Sequence, residues 1–124
     1  MWPFSLFSKK PKQLYPECLW TVEFDELGFR GSDHTGAKMA ISLADLERVA
    51  IETNDSGPWG ADVLWLLFRS DGKPGCVFPQ GATGEGAAVE KLMALPGFDE
   101  RQMIKAMGST SNALFIVWER ETAQ

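Results

Sequence analysis

Histidine and cysteine are scarce in this sequence, and their scarcity closes several routes to chemistry. The only histidine, His34, lies in a run of small polar residues. General-base or nucleophilic work by histidine needs an oriented partner within hydrogen-bond reach. Its neighbour Asp33 would point to the opposite side of a strand, so His34 is not expected to be catalytic. One histidine and two separated cysteines do not supply the four tetrahedral ligands of a zinc site. Cys18 and Cys76 each sit in an apolar, strand-like context and read as reduced, buried small hydrophobes; the spacing of a secreted disulfide framework is absent. Long apolar runs are missing too, since nothing approaches the roughly 20 residues of a membrane helix. The opening "MWPFSLFSKKPK" sets its apolar residues before its charges and is broken by Pro3, the reverse of a secretory signal. A cytoplasmic protein is the expectation.

Basic residues are in the minority, 12 against 17 acidic. Lys9, Lys10 and Lys12 fall in the first twelve residues, leaving 9 basic against 17 acidic residues in the remainder, a net of −8. An acidic body does not suit nucleic acid, which needs a basic footprint to displace counterions. It suits a basic protein partner, because opposite fields steer encounter. The segment 1–12, with Trp2, Phe4, Leu6 and Phe7 ahead of its lysines, also has the makings of a weak membrane-surface contact.

At 124 residues the chain has the length of one domain with a real core. Pro11 and Pro16 keep "KKPKQLYP" out of regular structure, giving a tail over 1–16 and one domain over 17–124. From Leu19 onward the pattern alternates with a period of two. Trp20, Val22 and Phe24 share a face, a short strand follows through Phe29, and Met39, Ile41 and Leu43 point inward on the next. Ser42 to Leu46 reads as a tight turn before Val49, Ile51 and Thr53 resume the alternation. Residues 62–68, "DVLWLLF", are apolar on both faces, which makes this strand central or covered by another layer. "CVFP" supplies one more strand.

The pattern then turns helical. Thr83 is the expected N-cap of a first helix ending at Pro96–Gly97, with Glu85 in its first turn. Asp99 and Gln102 have capping-box spacing for a second, with Met103, Ile104 and Met107 inward and Gly108 closing it. "ALFIVWE" is the last strand. The expectation is an α+β fold: a bent, mostly antiparallel sheet or half-barrel, PH-like in the manner of pleckstrin-homology domains. It would have about six to seven strands, with two C-terminal helices before the last strand.

Candidates for a reaction fail on inspection. "QGATGEG" places glycines before a helix but lacks the lysine and spacing of a phosphate loop. The pairs Asp25–Glu26, Asp45–Glu47 and Asp99–Glu100 each suit turns, caps or solvated faces. No catalytic residue, metal or cofactor is expected. Recognition is left, and "NDSGPWG" over 54–60 is its best candidate. Pro58, Trp59, Asp55 and Asp62 would form a rigid acidic loop with an aromatic tip, the residue types that anchor interfaces. A tryptophan in such a loop also folds back as a plug over an open sheet end, and both roles fit Trp59.

The motifs "GPWGADVLWLLF", "FPQGATGEG", "LPGFD" and "LFIVWER" together span about residues 19 to 120. In them the chain resembles a family of small, mostly uncharacterised bacterial proteins. The resemblance implies a non-enzymatic protein, with relatives that serve as immunity proteins beside toxins of contact-dependent inhibition systems. It offers no active site to transfer, because Pro58, Trp59, Gly60, Trp65, Pro79, Gly81, Pro96, Gly97 and Trp118 are what turns and cores need. The leading expectation is a protein-binding domain, most concretely an immunity protein that neutralises a basic, nuclease-type toxin. The alternative is a peripheral PH-like lipid- or peptide-binding module. Oligomeric state is not written in the sequence.

Overall fold

The computed structural model describes residues 20–57, 60–109 and 111–121; over 54–57 and 60–62 the description is of the backbone. The tail 1–16, Cys18, Pro58 and Trp59 lie outside the described residues.

The alternation in the sequence becomes seven strands in two open antiparallel sheets, with two helices inserted before the last strand. The class is α+β. Strands β1 (Thr21–Phe24), β2 (Gly28–Ser32) and β3 (Lys38–Ser42) form a meander. Strands β4 (Leu46–Gly57), β5 (Gly60–Arg69), β6 (Pro74–Pro79) and β7 (Ala113–Glu119) form the second sheet in the order β6-β5-β4-β7. The expected tight turn joins the two sheets: the Asp45 amide donates to the Ser42 carbonyl and the Leu46 amide to the Leu43 carbonyl. Arg120, just past β7, donates from Nε to the Leu46 carbonyl at 2.9 Å and holds this turn from the far end of the chain. A bulge between Leu46 and Arg48 lets both Leu46 and Val49 face inward.

One face of the second sheet is the core. Val49, Ile51, Trp65, Leu67, Phe78 and Val117 are fully buried there, and Val22, Phe29 and Ile41 join them from the first sheet. Burial of each such side chain contributes about 1.5–3 kcal/mol. The Trp65 ring lies parallel to that of Phe78, with centroids 6.2 Å apart. Cys76 is free and buried in the same cluster.

The first sheet is tied down beside helix α1 (Glu85–Met93). The Val22 amide donates to the Thr83 carbonyl at 2.9 Å, and the Thr83 amide to the Trp20 carbonyl at 2.8 Å. This anchoring corrects the expected cap: the N-cap is Gly84, with no side-chain cap bond, while Thr83 is engaged with β1. Gly84 has φ 89°, and a Cβ there would lie 2.1 Å from the Val22 carbonyl oxygen, so only glycine fits.

Helix α2 (Glu100–Met107) starts as expected, its Asp99 carboxylate accepting from the Gln102 amide at 3.1 Å. Its packing differs from the expectation. Ala106 is fully buried and Met103 packs on the core, whereas Ile104 is 66% and Met107 40% exposed. A small residue at the contact brings α2 close to β7 and turns the larger neighbours outward. The Asp99 amide donates to the Val117 carbonyl at 2.7 Å, and Trp118 Nε1–H donates to the Pro96 carbonyl at 2.8 Å. The junction between the two helices is thereby fixed to β7.

Candidate functional site

The quoted loop belongs to the longest hairpin of the fold. Pairing between β4 and β5 runs from Leu46↔Arg69 through Asn54↔Asp62 to Gly57↔Gly60, with an irregularity between the last two. The neighbouring strands stop earlier: β7 pairs with β4 up to Thr53↔Ala113, and β6 with β5 up to Leu64↔Pro79. Past Thr53 and Val63 the hairpin therefore extends as a two-stranded projection. Asp55 and Asp62 are placed on its two strands, within the stretch described by backbone alone. Gly57 and Gly60 pair on either side of Pro58 and Trp59, which lie outside the described residues.

The base of the projection is locked from the core side. Thr53 is 1% exposed, and its hydroxyl donates to the Ser111 carbonyl at 2.8 Å with Ser109 Oγ 3.2 Å away. Ser109 follows Gly108, the C-cap of α2, and Ser111 precedes β7, so one buried hydroxyl joins the hairpin to the α2–β7 turn. Buried polar groups of this kind are tolerated when satisfied, and they fix geometry.

Exposed apolar side chains also occur on the elements that flank this base, α2 and β7. The large hydrophobic residues exposed among the described residues are Leu27, Ile104, Met107 and Leu114. Leu27 sits in the β1–β2 turn. Met107 ends α2 beside the Thr53 contact, Ile104 lies one turn earlier, and Leu114 is 54% exposed on the second residue of β7. In the register, Leu114 pairs with Glu52, which pairs in turn with Leu64, so an exposed carboxylate stands between two apolar side chains. Anchors of large apolar side chains beside charged groups are the ordinary make-up of a protein contact.

Titratable groups elsewhere serve local structure. The Asp25 carboxylate receives the Arg30 guanidinium and the Leu27 amide, and these bonds lower its pKa. Asp33 is lowered by the Thr35 hydroxyl and the Thr35 and Ala37 amides within its own turn. His34 stacks at a tilt on Trp20, centroids 5.7 Å apart. Among the described residues no three His, Cys, Asp or Glu side chains gather to hold a metal ion. A shallow surface depression runs along Met93, Leu95, Phe98, Asp99 and Arg101, between the two helices. No described helix is long and apolar enough to cross a membrane.

Comparison of the chain with protein-family models, with curated proteins and with solved structures finds no match.

Sequence reasoning located the hairpin but missed Ile104, Met107 and Leu114. A helical period assigns Ile104 to the apolar face along with Met103. Only the burial of Ala106 reveals that this face is rotated.

Proposed function

We propose that this chain is a non-enzymatic protein-binding domain whose contact surface is the hairpin end, and that its partner is a basic protein. The observation that carries this reading is the exposure of Ile104 and Met107 on α2 and of Leu114 on β7, the two elements joined by the turn that holds the base of a two-stranded projection of acidic sequence. Apolar anchors supply most of the free energy of such contacts, at about 1–2 kcal/mol or more each, within a polar rim. The net of −8 outside the first twelve residues attracts a basic partner and repels an anionic lipid surface. The most concrete partner is a nuclease-type toxin, and the chain would then act as an immunity protein that masks the toxin's phosphate-binding surface. That finer assignment is supported by the motif resemblance and by charge.

The test is co-expression with toxin domains encoded by neighbouring genes, scored by growth rescue and by complex formation on size exclusion. The wild-type chain should rescue growth and co-elute. An Ile104→Asp, Leu114→Asp double variant should fold normally, because both side chains are exposed, and should lose the complex. Absence of rescue and of any complex with the wild-type chain overturns the proposal.

A further inference from the structure

Thr53 is the one buried polar residue among those described; the rest of the buried set is hydrophobic. It is also the last residue of β4 with a strand on both sides, opposite Val63 on β5 and Ala113 on β7. Valine would fill such a site with the same branched shape and no polar group to desolvate, so a hydroxyl here has to be explained by its bonds. Those bonds lead into α2. The hydroxyl donates to the Ser111 carbonyl at 2.8 Å, and Ser109 Oγ, 3.2 Å from it, accepts the Ser111 amide at 3.3 Å. The Ser109 amide in turn donates to the Ala106 carbonyl at 3.1 Å, and the Gly108 amide to the Ile104 carbonyl at 3.2 Å. A run of hydrogen bonds thus connects the base of the projection with the last turn of the helix.

That turn decides what α2 shows to solvent. Ala106 is fully buried while Met107 is exposed, yet the two lie only about 100° apart round the helix. Rotation by that angle would carry a larger apolar side chain inward, so apolar burial pulls against the observed setting. The start of α2 is held by the Asp99 amide on the Val117 carbonyl, at 2.7 Å. We infer that the Thr53 hydroxyl is the positioning group at the other end. Through the turn formed by Ser109 and Ser111 it holds α2 in the rotation that keeps Ile104 and Met107 outside, and it ties the direction of the projection to that of the helix. Its purpose rests on the reading of these elements as a contact surface, whereas the rotation itself is measurable without a partner.

The experiment compares oxidation of Met107 and Met103 by dilute hydrogen peroxide in the full chain, mapped by mass spectrometry. In the wild type, exposed Met107 should oxidise faster than Met103, which packs on the core. Thr53→Val should lower that ratio by about two- to tenfold, the factor a hydrogen bond of this kind contributes to a local equilibrium. Thr53→Ser restores the hydroxyl and should keep the wild-type ratio. Ile51→Val, in the core on the same strand, should lower the urea midpoint comparably and leave the ratio unaltered, which separates positioning from a general loss of stability. Ser109→Ala removes another link of the run and should shift the ratio in the same direction as Thr53→Val; it decides the matter if Thr53→Val does not fold. An unchanged ratio in these two variants, or an equal fall in Ile51→Val, overturns the proposal. A fall in the ratio without any growth rescue by the wild-type chain overturns the contact reading alone.

Discussion

Trp65→Phe and Trp118→Phe remove the same atoms from two buried sites, and the structure predicts different costs. Trp65 is fully buried and Trp118 is 8% exposed, so the lost transfer and cavity contributions, about 1–3 kcal/mol in each case, largely cancel on subtraction. Hydrogen bonding does not cancel. Trp118 Nε1–H donates to the Pro96 carbonyl at 2.8 Å, and phenylalanine would leave that carbonyl without its donor, a loss of about 1–2 kcal/mol. Trp65 Nε1–H is buried with no partner among the described residues, and removing it relieves a desolvation penalty of about 1–3 kcal/mol. Trp118→Phe should therefore destabilise by about 3 kcal/mol more than Trp65→Phe. For a chain of this length that corresponds to a gap of roughly 10 °C in Tm. The Arg120 guanidinium 5.8 Å from the Trp118 ring acts in the same direction, because phenylalanine is the weaker partner. Urea unfolding followed by circular dichroism, with a common m value, measures the gap. A Trp65→Phe cost equal to or above that of Trp118→Phe would refute the reasoning.

Three further outcomes follow from individual sites. Thr53→Val keeps the shape and removes the donor to the Ser111 carbonyl, so it should cost about 1 kcal/mol and speed hydrogen exchange at the Ala113 amide; an unchanged urea midpoint contradicts the lock at the hairpin base. Burial pushes the Cys76 thiol up to about 11, so in a Cys18→Ser background it should resist an aromatic disulfide reagent at pH 8 until urea is added; reaction at the rate of a free thiol in the folded chain contradicts its placement. The Asp25 carboxyl is held below its ordinary value near 3.8 by the Arg30 guanidinium first and the Leu27 amide next. A group with a depressed folded pKa adds stability that is complete above its unfolded value and is lost as pH falls through the folded one. Asp25→Asn should therefore flatten the acid limb of the stability curve below about pH 4, and an acid limb of unchanged slope would count against the Arg30 contact.

The strands were legible because alternation has one meaning when one face is buried: Val49, Ile51, Trp65 and Leu67 all point where their period puts them. The second apolar set on β5 was equally visible. A period of two states that a face is apolar but not what covers it, so Leu64, Leu66 and Phe68 needed the structure to show them outside the core cluster. Thr83 failed as a cap for a non-local reason: its amide and carbonyl are engaged by Trp20 and Val22, which the local pattern does not contain. Ile104 and Met107 failed because eight residues of helix fix a stripe only to within about one residue, and the burial of Ala106 decided its direction. For the candidate site, the hairpin was readable from its glycines and apolar run, while the exposed anchors beside it depended on that rotation.

The position of β7 next to β4 also governs the order in which the fold can assemble. The β4–β5–β6 meander closes through short turns and can zip locally, on the microsecond scale of hairpins. The other side of β4 waits for a segment far along the chain. The Thr53–Ser111 contact alone joins residues 58 apart, and loop closure over such a span must precede any gain from it. Until β7 docks, the apolar inner face of β4 lies open at its free edge, in the state most prone to pairing with another chain. Refolding should therefore be slow relative to the meander and sensitive to protein concentration, with the docking of the last strand as the step that commits the chain.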